Sequence, residues 1–341
     1  MKIPVYSSTI RRTEMDAVLT CMVEEKIGPG EMNQKLIKLV CETFQVSGAT
    51  ALRSPAIALS YALNALDLEE GAQVIISALA PSWQYVELIR KKYRPLVIDV
   101  RQENALVTAE AIEKAVKNGG RTVILHETLG FLPEIEEILS LGIPVIEDLS
   151  QSAGALYKER YAGSLGIFSI LGLEEKDILT GGGGAVLLAP ERRNSIVLKK
   201  LYEQAPVTDL LPDINASLAF VQLKQMAKNT ELRKEMHELY LRALMQSKHK
   251  TIPAAPDTVN PVYSFPVILN SGVSDVQKYA AKKNIDIELA FKSSTVEYLK
   301  DRQEDFINAT SLLLRCVLFP LYPRLGSKKS ADIAKVLATL P

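Results

Sequence analysis

The sequence predicts an α/β fold: a large domain with a mostly parallel central sheet, joined to a smaller C-terminal α/β domain. Three observations predict it. Between about residues 50 and 190, short runs of Val, Ile and Leu alternate with segments whose apolar residues recur on one helical face. Those runs are near-continuous rather than alternating, as expected of strands covered on both faces. After about residue 190 the rhythm changes to a long helical stretch followed by a lone strand and further helices.

Each element has a local cause. The residues up to about 46 hold two helices around the break Gly28-Pro29-Gly30. ATALR (50–53 at its core) is a short apolar run, and Pro55 opens the helical AIALSYALNAL, where proline suits a first turn. QVIIS (73–77) is a strand and WQYVELIRKKY a helix. PLVIDV (95–100) is a strand, and Thr108 caps AEAIEKAVKN with Glu110 in the first turn, where the helix dipole favours an acid. RTVILH (121–126), the helix PEIEEILSL and PVIED (144–148) complete the alternation. One helix is expected from Ile214 to about Met245, then the strand PVYSFPVIL, the helix SDVQKYAAKKN and the terminal helix SADIAKVLATL. The boundaries expected are 1–205 for the large domain with its N-terminal helices and 206–341 for the connecting helix and small domain.

Composition narrows the classes. Forty basic and forty acidic residues cancel, which argues against a nucleic-acid partner that would need a basic face. No apolar run approaches the roughly 20 residues that span a bilayer, and MKIPVYSSTIRRTE has no signal-type apolar core, so a cytoplasmic location without membrane contact is expected. Cys21, Cys41 and Cys316 are scattered and unpaired, and the three histidines are not spaced as ligands, so no metal site is expected.

In parallel sheets, ligands bind beyond the carboxyl ends of the strands. Asp99, His126, Glu147 and Asp148 fall at such ends. In VIEDLSQSAGALY, Glu147 or Asp148 either caps the following turn or does electrostatic work, because a buried carboxylate needs a partner. Gln151, one short turn on, supplies an amide, and an acid and an amide at that spacing suit the two edges of a flat heteroaromatic ring. The run Gly181–Gly184 lacks the Lys-Ser/Thr of a phosphate loop. It is either a turn between strands or a place where backbone packs closely against a ligand. Lys176, four residues before Thr180-Gly181, is either an ordinary solvated lysine or an amine that bonds a cofactor.

Taken in order, the EDxxQ strand end, AGSLG (162–166), the FS dipeptide and Lys-x-Ile-x-Thr-Gly-x-Gly-Gly resemble the DegT/DnrJ/EryC1/StrS sugar aminotransferases. The resemblance runs along nearly the whole chain, through IPVYSSTI, EEKIGPGEMNQKLIKLVCETF, EEGAQVIIS, PLVIDV, INASLAFVQLKQM and RCVLFPLYPRL. It implies a fold-type-I, pyridoxal-phosphate-dependent transferase assembled as a homodimer with sites at the interface. It also implies transfer of an amino group from an amino-acid donor to a nucleotide-linked keto sugar, in amino-sugar and polysaccharide biosynthesis. Carried over by position, Lys176 matches the Schiff-base lysine, Asp148 the acid at the ring nitrogen, Gln151 the residue near the ring hydroxyl and Ser169 a phosphate-holding serine.

The departures from the family pattern are also legible. The phosphate cup, Ser-Gly-Thr in the family, is Ser54-Pro55-Ala56, which lacks a backbone N–H and a hydroxyl, each worth about 1.5–3 kcal/mol to a charged group. Ser54 and Ala56 remain as cup residues. Pro81 stands where the ring-stacking aromatic is expected, leaving Trp83 or Tyr85 to take that part. The gap from Ser169 to Lys176 is two residues longer than expected and contains Glu174 and Glu175. The Asn-Tyr-Arg that precedes the long helix is replaced by residues 211–214, Leu-Pro-Asp-Ile. These departures support an alternative: a family member that keeps the fold and binds a sugar nucleotide or a partner without the chemistry.

Overall fold

The computed structural model describes residues 2–341. Seven strands form the main sheet: β1 (Gly48–Leu52), β2 (Gln73–Ser77), β3 (Arg94–Ile98), β4 (Gly120–His126), β5 (Val145–Asp148), β8 (Phe168–Gly172) and β9 (Ala185–Ala189). Their order is β1-β9-β8-β5-β4-β2-β3. β8, β5, β4, β2 and β3 pair in parallel, while β9 is antiparallel to both of its neighbours. β6 (Leu156–Tyr157), β7 (Arg160–Tyr161) and β10 (Thr258–Val259) make a small antiparallel sheet. β11 (Phe265–Ile268), β12 (Glu288–Leu289) and β13 (Cys316–Phe319) make another in the C-terminal part.

Strand side chains alternate between faces, so the sheet carries two cores. Val74, Ile76, Ile124, Ile146 and Ile170 pack with Leu59 and Leu63 of the helix Pro55–Ala65. Ile75, Val123, Leu125, Val145 and Leu171 pack with Leu36, Val40 and Phe44 of the helix Glu31–Phe44 on the other side. A separate cluster built on Phe265, Val267, Val317, Phe319 and Tyr240 holds the C-terminal part together.

The predicted elements are present, with small shifts at their ends. Two N-terminal helices, Arg12–Val23 and Glu31–Phe44, flank the Gly28-Pro29-Gly30 break, and Thr108 caps Ala109–Lys117 by accepting the Ala111 N–H. One element differs. The long helix expected from Ile214 is two helices, Asp213–Lys224 and Met226–Leu244, separated at Gln225, whose ψ of 0° interrupts the helical backbone. The helix Asp213–Lys224 lies on the two N-terminal helices. Asp213, buried, accepts the N–H groups of Gly30, Met32 and Asn33 at 2.8–3.0 Å and so caps the helix Glu31–Phe44. Where the family pattern places a phosphate contact, this chain has a helix cap. No helix among the described residues is long and apolar enough to cross a membrane.

Candidate active site

The carboxyl ends of β4, β5 and β8 converge on Asp148. It is the last residue of β5, and register places it opposite His126, the last residue of β4. Both follow an isoleucine by two residues, so both face the helix-covered side on which Ile124 and Ile146 pack. Asp148 is fully buried. Its Oδ2 accepts the Gln84 side-chain amide at 2.7 Å and His126 Nδ1 at 2.9 Å, which makes Nδ1 the protonated ring nitrogen because a carboxylate only accepts. Its Oδ1 accepts the Ser150 N–H at 3.1 Å and the Ser150 hydroxyl at 2.6 Å. Burial alone pushes the Asp148 carboxyl up, but the bond and charge of His126 and the two bonds from Ser150 outweigh it and hold it below its ordinary value.

Gln84 comes from the first turn of the helix Ser82–Arg90 and is fully buried, and its Oε1 has no partner among the described residues. Nothing in the sequence marks this glutamine: one amide beside Trp83 in an amphipathic helix reads as surface. Trp83 is half-buried against the cluster under the helix Pro55–Ala65, as is Tyr85, whose ring lies 5.7 Å from that of Tyr298.

Gln151 lies two residues past Ser150 and is partly exposed. Its Oε1 accepts the Leu129 N–H at 2.6 Å. That bond pins the loop after β4, where Leu129 and Gly130 have φ of 54° and 84°. A Cβ on Gly130 would stand 2.9 Å from the Gln151 carbonyl oxygen, so glycine is required there by close approach as well as by backbone angle.

Ser169 is not brought to this side. β8 pairs with β5 so that Ser169 stands opposite Glu147, and Asp148 stands opposite Ile170. Alternation therefore puts Ser169 on the opposite face from Asp148, and its hydroxyl donates to Glu147 at 3.1 Å and to the Gly163 carbonyl at 3.0 Å. Glu147 itself accepts the N–H groups of Gly163, Leu165 and Gly166. It organises the AGSLG turn and takes no part in the site. Asp99 is likewise structural, capping the helix Ile307–Arg315 through the Asn308 and Ala309 N–H groups.

Lys176 is not brought to Asp148 either. Its ammonium pairs with Glu288 at 3.3 Å and lies 4.7 Å from the Tyr6 ring centre, and its side chain is 57% exposed. It borders a cleft of about 430 Å³ formed with Tyr6, Ser8, Glu175 and Glu288. The turn is fixed by the Tyr263 hydroxyl, which donates to the Lys176 carbonyl at 3.0 Å. The next residue, Asp177, turns inward instead. Its carboxylate accepts the Glu174 N–H at 2.8 Å, and a Cβ on Gly172 would collide with it and with the Ser150 hydroxyl. Burial pushes the Asp177 carboxyl well up, against the pull of the Glu174 N–H, and the charges of Asp148 and Glu174 add to the rise.

The glycine run packs against the protein's own chain. A Cβ on Gly181 would lie 3.1 Å from the Asn215 carbonyl oxygen, and one on Gly184, at φ 116°, would strike Leu211 and lie 3.2 Å from the Leu52 carbonyl oxygen. The crowding expected of a ligand is supplied by the helix Asp213–Lys224 and its approach. At the cup, the Ser54 hydroxyl accepts the Ile57 N–H as a helix cap, with Pro55 and Ala56 following.

The side chains as placed do not fit pyridoxal phosphate. Its ring nitrogen would need a lone pair on Asp148, and a carboxylate has about four such sites, here met by four donors. Its phosphate would meet a proline and an alanine where an N–H and a hydroxyl are needed, and its aldehyde would find Lys176 turned to Glu288.

The fold has many known relatives. A protein named as a sugar aminotransferase, Spr1654 from Streptococcus pneumoniae in its PLP form, superposes with a TM-score of 0.91 at 15% identity, over 99% of this chain and 98% of that one. DesV from S. venezuelae, in complex with a ketimine intermediate, gives 0.90 at 16% over 99% and 98%. A variant of the dehydratase ColD with bound GDP-perosamine gives 0.87 at 16% over 98% and 99%. At these identities the likeness establishes the fold, and the expected fold-type-I architecture agrees with it. The sequence profile of the DegT/DnrJ/EryC1/StrS aminotransferase family matches residues 8–338, in accord with the aminotransferase and pyridoxal-phosphate expectations drawn from the sequence. From the N-terminal helices to the terminal helix, this chain belongs to the DegT/DnrJ/EryC1/StrS aminotransferase family, a family of pyridoxal-phosphate-dependent enzymes.

Proposed function

We propose that the chain takes its family's class of ligand, a keto sugar carried on a nucleotide, with an amino acid as the amino donor, in amino-sugar and polysaccharide biosynthesis. It works in the cytoplasm as a homodimer with its sites at the subunit interface. The observation that carries this reading is the family match over residues 8–338, with Asp148 at the carboxyl end of β5, where such sheets place their ligands.

The outward Lys176 and the filled coordination of Asp148 favour a second reading of the chemistry. In it the chain keeps the scaffold and binds the sugar nucleotide, or a partner protein, without carrying the amino transfer itself. Calorimetry with UDP-glucose, dTDP-glucose and a GDP-sugar, alongside consumption of an amino-acid donor in the presence of pyridoxal phosphate, separates the two. Binding with turnover supports transfer, and binding without turnover supports the second reading. No binding to any of the three rejects transfer and the sugar-nucleotide form of the second reading, leaving only the partner-protein form.

A further inference from the structure

We propose that this chain has no Schiff-base lysine: Gln84 takes the ring nitrogen's place on Asp148, Asp177 takes the inward place that the turn denies to Lys176, and pyridoxal phosphate is held, at most, without a bond to the protein. The inference rests on the second reading above and deepens it.

Two independent features carry it. The first is saturation. Asp148 is buried, and each of its oxygens accepts two hydrogen bonds, from Gln84 and His126 at one and from Ser150 at the other, all from the chain itself. A ring nitrogen can reach that carboxylate only by displacing one of them. Gln84 is the member whose amide also carries an unpartnered Oε1, so its amide is the group interposed between Asp148 and a ligand. That oxygen is neutral. A ring nitrogen bonded to it would lack the charged partner that keeps a pyridine protonated, and with it the electron-withdrawing character that transamination draws on.

The second is the turn. The gap from Ser169 to Lys176, longer than the family pattern, runs through the end of β8 and contains Glu174 and Glu175, both exposed. The Glu174 N–H is bonded by Asp177 and the Lys176 carbonyl by Tyr263. These two bonds set adjacent side chains in opposite directions, Asp177 toward Ser150 and Lys176 toward Glu288. Exchanging them requires breaking both bonds and placing a longer side chain where Asp177 now lies, against Gly172 and the Ser150 hydroxyl.

The test uses the full chain and its single tryptophan, Trp83, the neighbour of Gln84. Pyridoxal 5′-phosphate is titrated while Trp83 emission is followed, and the dialysed protein is then scanned for a visible aldimine band before and after borohydride. The expected result is quenching at high ligand concentration and no band that survives dialysis. Gln84→Ala, which frees a lone pair on Asp148, is expected to tighten the Trp83-reported affinity at least tenfold, still without a band. Gln84→Ser repeats the measurement should the alanine variant fold poorly. A borohydride-sensitive band at one equivalent per wild-type chain overturns the inference, and unchanged affinity in the folded Gln84 variants removes Gln84 from it. Sugar-nucleotide binding is measured in parallel: its persistence beside an aldimine band rejects this inference alone, whereas its loss with no band rejects the function reading.

Discussion

The side-chain amide of Gln84 donates to Oδ2 of Asp148 at 2.7 Å, and neither residue exposes any surface. That bond joins the helix after β2 to the end of β5 and completes the carboxylate's set of four donors. Replacing Gln84 by Leu leaves Asp148 buried with one bond fewer, and a cost of about 2–3 kcal/mol is expected for the charged partner left short. Urea denaturation of the variant against wild type measures it, and a change below about 0.5 kcal/mol would contradict the geometry.

Asp148 also sets a pH dependence with a definite sign. Its carboxyl is held below the ordinary range, so the unfolded chain binds the proton first as pH falls. Its contribution is fully present above the unfolded value of about 3.9 and is lost as pH falls through the folded value. The acid side of the melting-temperature profile in Asp148→Asn is therefore expected to be flatter than in wild type.

Glu127 has the opposite sign. It is fully buried, its Oε2 takes the Ser152 hydroxyl, and its Oε1 has no partner among the described residues. Burial and then the charge of Glu147 push its carboxyl well up. The folded state keeps the proton while the unfolded chain loses it above about 4.3, so Glu127 weakens the fold as pH rises through that range. Glu127→Gln is expected to raise the melting temperature at pH 7 by about 2 °C and to change it little at pH 4. An equal shift at both pH values would contradict the buried, neutral acid.

Asp213 holds three backbone N–H groups at the start of the helix Glu31–Phe44. Asp213→Ala orphans all three, at an expected cost of about 2–3 kcal/mol, and Asn is expected to recover part of it. Nucleotide-sugar affinity in the folded variant is expected to be unchanged, because this residue serves the helix rather than a phosphate.

How much of this was legible in the sequence follows from what kind of information each feature needs. The strands through Ile75, Ile124 and Ile146 announce themselves because a strand buried on both faces has to be apolar throughout. The carboxylate pair Glu147-Asp148 was legible for the same reason, as the first charges of such a strand, and the family resemblance singled out Asp148. The break at Gln225 was not, since Leu223, Met226 and their neighbours keep helical spacing across it. The face that Ser169 takes was not legible, because a motif position carries no register: pairing with β5, not the FS dipeptide, decides it. The direction of Lys176 was partly legible. Its two-residue-longer spacing and the flanking Glu174 and Glu175 were visible as departures, but the inward turn of Asp177 depends on Tyr263, Ser150 and Gly172, which the chain brings together only on folding. Gln84 gave no signal at all, because its burial is created by Asp148, 64 positions away.

Lys176, on the reading proposed above, is a surface lysine paired with Glu288 and not a cofactor-bonding amine. Its most direct test is peptide mapping of the wild-type chain after equilibration with pyridoxal 5′-phosphate and borohydride reduction. A pyridoxyl group is expected on Lys176 no more often than on an exposed helix lysine such as Lys199, whose side chain is 77% exposed. One pyridoxyl group per chain, confined to Lys176, would contradict it.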